Sequence, residues 1–401
     1  MDATVSTADV KRDRPTGFSR RSSSTGGRRK WLAVAVCFGM LLLLVGLFEA
    51  GLRVAGAQPK TATALSAFFH HDASTGWRGT PNVSMTFVTA SFAAKTSHGP
   101  DGFRKLSCPL PEPSESPADS REIWVLGDSG TWGWGVADGQ TYIDRLNEQS
   151  DGVVLRNLGQ CGFSSLQEYL LLKDLLESDS SRRPAAVYVL FCSNDLPENV
   201  NGADQDPPRA YCAVADDKVV VKNHPVPGNK QYSLRGTLKR SSMAYNYLSY
   251  YAACAKQALK NKAAGGDMGS PPLPPAEQWR VLTYVYQQIK RVCEARQIPL
   301  TMVMIPPIVS RSGHSTTANM HEYDETIRRE FLRRCGDLDI PVIDLTDTFR
   351  EYFEERGPDA EPLCFVGDPH FTARGHRLIA DGIRKRVSNS GELVNLLHDD
   401  R

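Results

Sequence analysis

The sequence has no cysteine pair at C-x-x-C spacing and no histidine pair four residues apart. Those absences exclude the common structural zinc arrangements. It also has almost no net charge. Its 47 Lys and Arg against 46 Asp and Glu leave +1, so nothing in the charge supports nucleic acid as a partner. No repeat at a solenoid period is visible. Phosphate-binding glycine motifs are absent too. After Gly133 and Gly135 a dinucleotide fingerprint needs glycine where Asp138 stands, and a Walker A loop needs a lysine where Val136 and Ala137 follow. The G-x-S-x-G elbow fails because position 131 is threonine. No cofactor and no metal is therefore expected.

One feature present is a charge-free apolar run, Trp31 to Phe48, behind Lys11, Arg12, Arg14, Arg20, Arg21, Arg28, Arg29 and Lys30. At ~1.5 Å per helical residue it approaches the ~30 Å hydrocarbon core of a bilayer. The basic flank orients the N-terminus to the cytoplasm and the bulk of the chain outside. Residues 1–30 are predicted as a disordered basic tail, and 31–49 as a transmembrane signal-anchor. Ala55-Gly56-Ala57 offers the competing reading, a cleaved signal peptide. Of nine cysteines, eight lie beyond the apolar run, which permits disulfides in an oxidising compartment without specifying their pairing.

Residues 50–120 read as an exported segment and proline-rich linker, with a half-buried strand at Val83, Met85, Phe87 and Thr89. From residue 121 short apolar strands alternate with helices. Strands are predicted at 122–128, 152–159, 185–195, 299–307 and 340–346, and helices at 138–149, 164–178, 277–297, 319–337 and 373–388. Such alternation predicts an α/β fold, a three-layer α/β/α sandwich on a five-stranded parallel sheet. The stretch 196–275 interrupts it and is too long for a plain connection. Within it "SSMAYNYLSYYAACAKQALK" (241–260) reads as a satellite helix, or as an aromatic wall over a site.

Ligands bind such sheets at the carboxyl ends of the strands. The first strand stops at Gly127-Asp128-Ser129, which alone fits a nucleophile or a tight turn. The second ends in "NLGQCGFSS", where a Gly162 backbone N–H can face Ser129. The third ends in "FCSND", which brings the Asn194 amide to the same edge. "CFVGDPHFTARGH" follows the fifth strand, with Asp368 and His370 just before the last helix. His376 could be grouped with them as metal ligands, but "GHRLIA" reads as a helix start.

These four blocks resemble the SGNH hydrolase superfamily, the GDSL-type esterases, over residues 121–390. "FEAGLRVAG" and "SHGPDGFR" further resemble its anchored, exported bacterial members. The resemblance implies a flavodoxin-like SGNH fold, with Ser129 as nucleophile, His370 as general base and Asp368 orienting the histidine. It implies an oxyanion hole of the Ser129 and Gly162 N–H groups and the Asn194 amide. Two blocks depart from the family pattern. Cys192 replaces the glycine of G-x-N-D, and Gly367 stands where D-x-x-H has its aspartate, leaving Asp368-Pro369-His370. That D-x-H spacing resembles the alginate-type O-acetyltransferases. The expectation is a membrane-anchored serine esterase acting outside the cytoplasm on an O-acyl or O-acetyl ester of a glycan or small molecule. The alternatives are an O-acetyltransferase of cell-surface polysaccharide and a catalytically inactive scaffold on the same fold.

Overall fold

In the computed structural model, two runs of five and six buried residues, β5 (Glu122–Leu126) and β7 (Ala186–Phe191), lie side by side in one sheet. The structure describes residues 25–57, 68–89, 91–116, 119–150, 152–179, 182–202, 207–228, 238, 241–263, 274–306, 318–357, 360–365 and 368–390. The chain divides into two units, 1–57 and 58–401.

The first unit holds helix α1 (Thr25–Val54), whose stretch Lys30–Val54 is long and apolar enough to cross a membrane. Its large side chains are exposed, from Trp31 to Phe48. The helix begins inside the stretch read as a basic tail; residues 1–24 of that tail lie outside the described residues.

In the second unit β6 (Val154–Asn157), β10 (Leu300–Met304) and β11 (Val342–Asp344) complete a parallel sheet in the order β11-β10-β7-β5-β6. Ile123 pairs with Leu155, Val125 with Tyr188, and Met304 with Phe191 and Asp344. Both faces are covered, which is why the strands read as continuous apolar runs rather than alternating ones. Trp124, Leu126, Val187, Val189, Phe191, Met302 and Met304 pack toward α4 (Ser165–Ser178), α7 (Ala276–Glu294) and α8 (Ala318–Asp337). Ile123, Val125, Tyr188, Leu190 and Val303 pack toward α3 (Tyr142–Asn147), α9 (Thr346–Arg356) and α10 (Ala373–Ser390). Leu166, Leu170, Leu171, Leu172 and Leu176 of α4 are all buried, each contributing about 1.5–3 kcal/mol relative to exposure. This is the expected α/β sandwich.

Helix α3 is shorter than the periodicity of 138–149 suggests, and the cause is local. The Thr141 hydroxyl accepts from Asp144 N, and the Asp144 carboxylate accepts from Thr141 N, so this capping box sets the first turn at Tyr142. The inserted stretch holds a hairpin of β8 (Tyr211–Ala215) and β9 (Lys218–Lys222), turned by Asp216 and Asp217 at φ 47° and 56°. It also holds helix α6 (Met243–Ala263), where Tyr250 and Tyr251 pack edge to face and Tyr251 is exposed.

Upstream of the sheet, two antiparallel hairpins pair β1 (Phe69–Asp72) with β2 (Gly76–Gly79) and β3 (Ser84–Val88) with β4 (Ala93–Ser97). The expected strand around Val83–Thr89 is β3, with Phe87 facing inward. Phe68, Phe87 and Trp132 form a third apolar cluster, which fastens this segment to the helix that follows β5.

Candidate active site

The sheet order reverses direction at the β5–β7 pair, so the two neighbouring connections leave on opposite faces and open a crevice at their carboxyl ends. Ser129 stands directly after β5, and Cys192-Ser193-Asn194 directly after β7. Ser129 opens the single turn α2 (Ser129–Trp132), capped by the Asp128 carboxylate, which accepts from Gly130 N at 2.7 Å. The hydroxyl therefore projects from a fixed turn.

The structure brings three of the expected residues into one chain of hydrogen bonds. Ser129 Oγ lies 2.8 Å from His370 Nε2, and His370 Nδ1 lies 2.6 Å from Asp368 Oδ1. Asp368 Oδ1 also accepts from His370 N at 3.0 Å, and Oδ2 accepts from Trp134 Nε1 at 3.4 Å. Burial pushes the Asp368 carboxyl up. The hydrogen bonds and charge of His370, with the Trp134 donor, outweigh burial and hold it below the usual carboxylate range. An ionised carboxylate only accepts, so His370 Nδ1 carries the proton and Nε2 is left to accept from Ser129. The D-x-H spacing thus lets one carboxylate oxygen grip both the ring and the backbone of the same histidine. The loop is stapled as well: Phe365 N donates to His370 O, and Cys364 bridges Phe371.

Gly162 lies at φ +75°, a conformation other residues rarely adopt. Among the described residues its N–H and that of Ser129 have no acceptor, while the Gly162 carbonyl accepts from Arg209 Nη1 at 3.2 Å. Asn194 Nδ2 donates to Asp128 Oδ2 at 3.1 Å, and its Oδ1 is buried without a hydrogen-bond partner. Cys192 Sγ, in place of the family's glycine, donates to the other Asp128 oxygen at 3.6 Å. Asp195 is buried at the start of α5 (Asp195–Glu198) and accepts from Cys192 N at 3.3 Å, a structural role. His376 is buried and stacked on Tyr142, and its Nδ1 accepts from Tyr142 N at 3.2 Å. Burial holds its pKa down at about 3, so it is neutral. No cluster fit to hold a metal occurs among the described residues.

Sequence reasoning missed the residues that brace this site. His98 and Arg104, from the segment before the sheet, sit beneath the turn after Ser129. Arg104 Nη2 donates to Val136 O at 2.8 Å, and its guanidinium lies 5.0 Å from the Trp132 ring. His98 Nε2 accepts from Trp132 Nε1 at 3.0 Å. On the other flank Trp77 Nε1 donates to Cys161 O at 3.0 Å, and Arg209 lies over Trp77. "SHGPDGFR" contained the first pair, but nothing in its pattern says what it touches.

A family model described as the GDSL-like Lipase/Acylhydrolase family matches residues 125–378. Similar solved structures include a lipolytic protein of the G-D-S-L family from Veillonella parvula, 15% identical, covering 67% of this chain and 98% of its own, with a TM-score of 0.36. An acetyl xylan esterase, AlAXEase, is 16% identical, covering 66% of this chain and 99% of its own at TM-score 0.37. The esterase EstA from Pseudoalteromonas sp., inhibited by monoethylphosphonate, is 12% identical, covering 68% and 98% at TM-score 0.33. No curated protein matches the chain.

Proposed function

Because the chain belongs to the GDSL-like Lipase/Acylhydrolase family and is therefore an ester-hydrolysing enzyme, we propose that it works through Ser129, His370 and Asp368 as a serine acylhydrolase outside the cytoplasm. The observation that carries this reading is the unbroken chain of contacts, 2.8 Å from Ser129 to His370 and 2.6 Å from His370 to Asp368. A serine hydroxyl is a poor nucleophile until a base takes its proton, and His370 Nε2 is in reach to do so.

In the proposed reaction Ser129 Oγ attacks the ester carbonyl carbon and its proton passes to His370 Nε2. The carbonyl oxygen becomes an oxyanion facing the Ser129 and Gly162 N–H groups, with the Asn194 amide as third donor. Collapse breaks the bond to the alcohol oxygen, which leaves with the proton from Nε2. A water then repeats the steps and frees the acid. Each oxyanion donor of this kind is worth about 10²–10³ in turnover. The substrate class is an O-acyl ester of a carbohydrate or small molecule, and the apolar N-terminal helix is the membrane anchor or export signal.

The test is turnover of p-nitrophenyl acetate by the full chain in detergent. Ser129→Ala should reduce it by at least ~10³-fold; unchanged turnover removes Ser129 from the role. The D-x-H spacing supports a second reading, acyl transfer to a sugar hydroxyl. Under that reading acyl groups appear on a glycan acceptor faster than free acid is released.

A further inference from the structure

Three aromatic side chains around His370 are left half-buried, where Phe87 and Trp132 behind them are fully buried. Trp134 has its ring centroid 6.0 Å from the His370 imidazole. Phe92 is 5.5 Å from Trp134, at 90°, and 5.1 Å from Phe365. Together they make a continuous wall running from His370 to Phe365. Its floor is Gly135, at φ +92°, where a Cβ would come within 2.4 Å of the Phe365 ring. Any larger residue there would push Phe365 off the wall.

Phe92 is held in place. Thr89 N donates to Phe92 O at 2.9 Å, and Thr89 Oγ1 accepts from Phe92 N and Ser91 N at 3.1 Å each. It stands on the β3–β4 connection, outside the residues matched by the family model. A pre-ordered ring costs less to use in binding than one that must be immobilised.

The chemistry proposed above assigns a side to each half of the ester. The alcohol oxygen must meet His370 Nε2 to take its proton, so the alcohol extends past the histidine. The carbonyl oxygen faces the Ser129 and Gly162 N–H groups, so the acyl chain is a separate arm of the tetrahedral carbon. Resting on that reading, we propose that Phe92, Trp134 and Phe365 form the binding surface for the alcohol part of the ester, and that this part is a pyranose ring. Ring faces carry negative quadrupole density and attract polarised C–H groups. A pyranose lays a flat array of such C–H groups on them while its hydroxyls stay in water. Phe92 makes no hydrogen bond to the triad, so it is a specificity-determining residue.

The test uses the full chain in detergent with Phe92→Ala, Phe92→Leu and Phe92→Tyr. On a mono-O-acetylated methyl glucopyranoside, Phe92→Ala and Phe92→Leu should lower kcat/KM about tenfold, while Phe92→Tyr, which keeps the ring, stays near the parent. Turnover of ethyl acetate, and the ratio of p-nitrophenyl butyrate to acetate, should stay unchanged in all three. An equal loss on ethyl acetate would overturn the proposal by showing that Phe92 acts on the triad through Trp134. A changed butyrate ratio would overturn it by placing Phe92 on the acyl side. A parallel measurement does not depend on turnover. In the Ser129→Ala protein the acetylated glucoside should change tryptophan fluorescence with saturation, and adding Phe92→Leu should weaken that binding about tenfold. Equal binding with and without the ring refutes the wall even if the assignment of Ser129 fails.

Discussion

His98 carries a prediction that links the segment before the sheet to the Ser129 turn. Its Nδ1 lies 3.2 Å from Thr80 O, and its Nε2 accepts from Trp132 Nε1 at 3.0 Å. The ring is neutral and has no room for a second proton. Burial first, and the Arg104 charge after it, hold its pKa at about 4 against the ordinary 6.5. In the unfolded chain the imidazole gains a proton as pH falls below about 6.5, while in the folded chain it does so only near 4. Its contribution to stability is therefore complete above that upper value and is lost as pH falls through the window. The whole displacement corresponds to about 3 kcal/mol, of which about 2 kcal/mol is lost between pH 7 and pH 5. The raw pH profile would hide this. Burial and mutual repulsion push the Glu168 and Asp195 carboxyls well up, and such groups add stability as pH falls. The informative quantity is the difference between the parent and His98→Gln, followed by guanidinium unfolding and tryptophan fluorescence at pH 7, 6 and 5. The parent should lose about 2 kcal/mol relative to the variant over that range. A difference that stays flat, or that grows in the parent's favour on acidification, refutes the buried neutral ring.

Two further changes test the site and its brace. Asp368→Asn leaves the loop shape but removes the negative charge, and replaces one acceptor oxygen by an NH2 donor, so the proton is no longer held on His370 Nδ1. Turnover of p-nitrophenyl acetate should fall about 10³–10⁴-fold with little change in melting temperature, and a loss below tenfold would mean the carboxylate does not orient the ring. Arg104→Ala removes the cation held by Trp132 O, Gly133 O, Val136 O and Asp138. It should cost about 3–5 kcal/mol in chemical unfolding, since buried acceptors are left without a donor; a cost under 1 kcal/mol would show that the brace is dispensable.

The parts of this architecture that were legible in the sequence are those set by local periodicity. The five strands of the sheet and helices α4, α7, α8 and α10 follow from apolar runs and 3.6-residue spacing, and their alternation dictates a covered parallel sheet. Where a local signal was misjudged, the cause is visible. Helix α3 starts late because Thr141 and Asp144 form a capping box inside the periodic stretch. The hairpins β1–β2 and β8–β9 went unseen because each strand has only four or five residues and the turns lack an Asn-Gly pair. The blocks that carry Ser129, Asp368 and His370 stand out in the sequence because each is short and local, and the structure brings the three side chains into contact. The contacts of Trp77, Phe92, His98 and Arg104 do not stand out, because each joins residues far apart in the chain.

Those distant contacts explain why the segment before the sheet belongs to the site. The switch point between β5 and β7 fixes only the Ser129 turn and the Asn194 turn, since both are strand ends. His370 arrives from 241 residues further along on a loop, and a loop alone would let its ring drift. Trp134 closes that gap. It reaches from the turn after Ser129 to Asp368, so the Ser129 turn and the Asp368 carboxylate share one rigid partner. Trp134 in turn packs against Phe87, and the turn that carries it hangs from Arg104. Misplacement of reacting groups by ~1 Å can cost ~10²-fold in rate. Phe87, His98 and Arg104 therefore fix the position of Trp134 and of the Ser129 turn, although Ser129, His370 and Asp368 all lie beyond them.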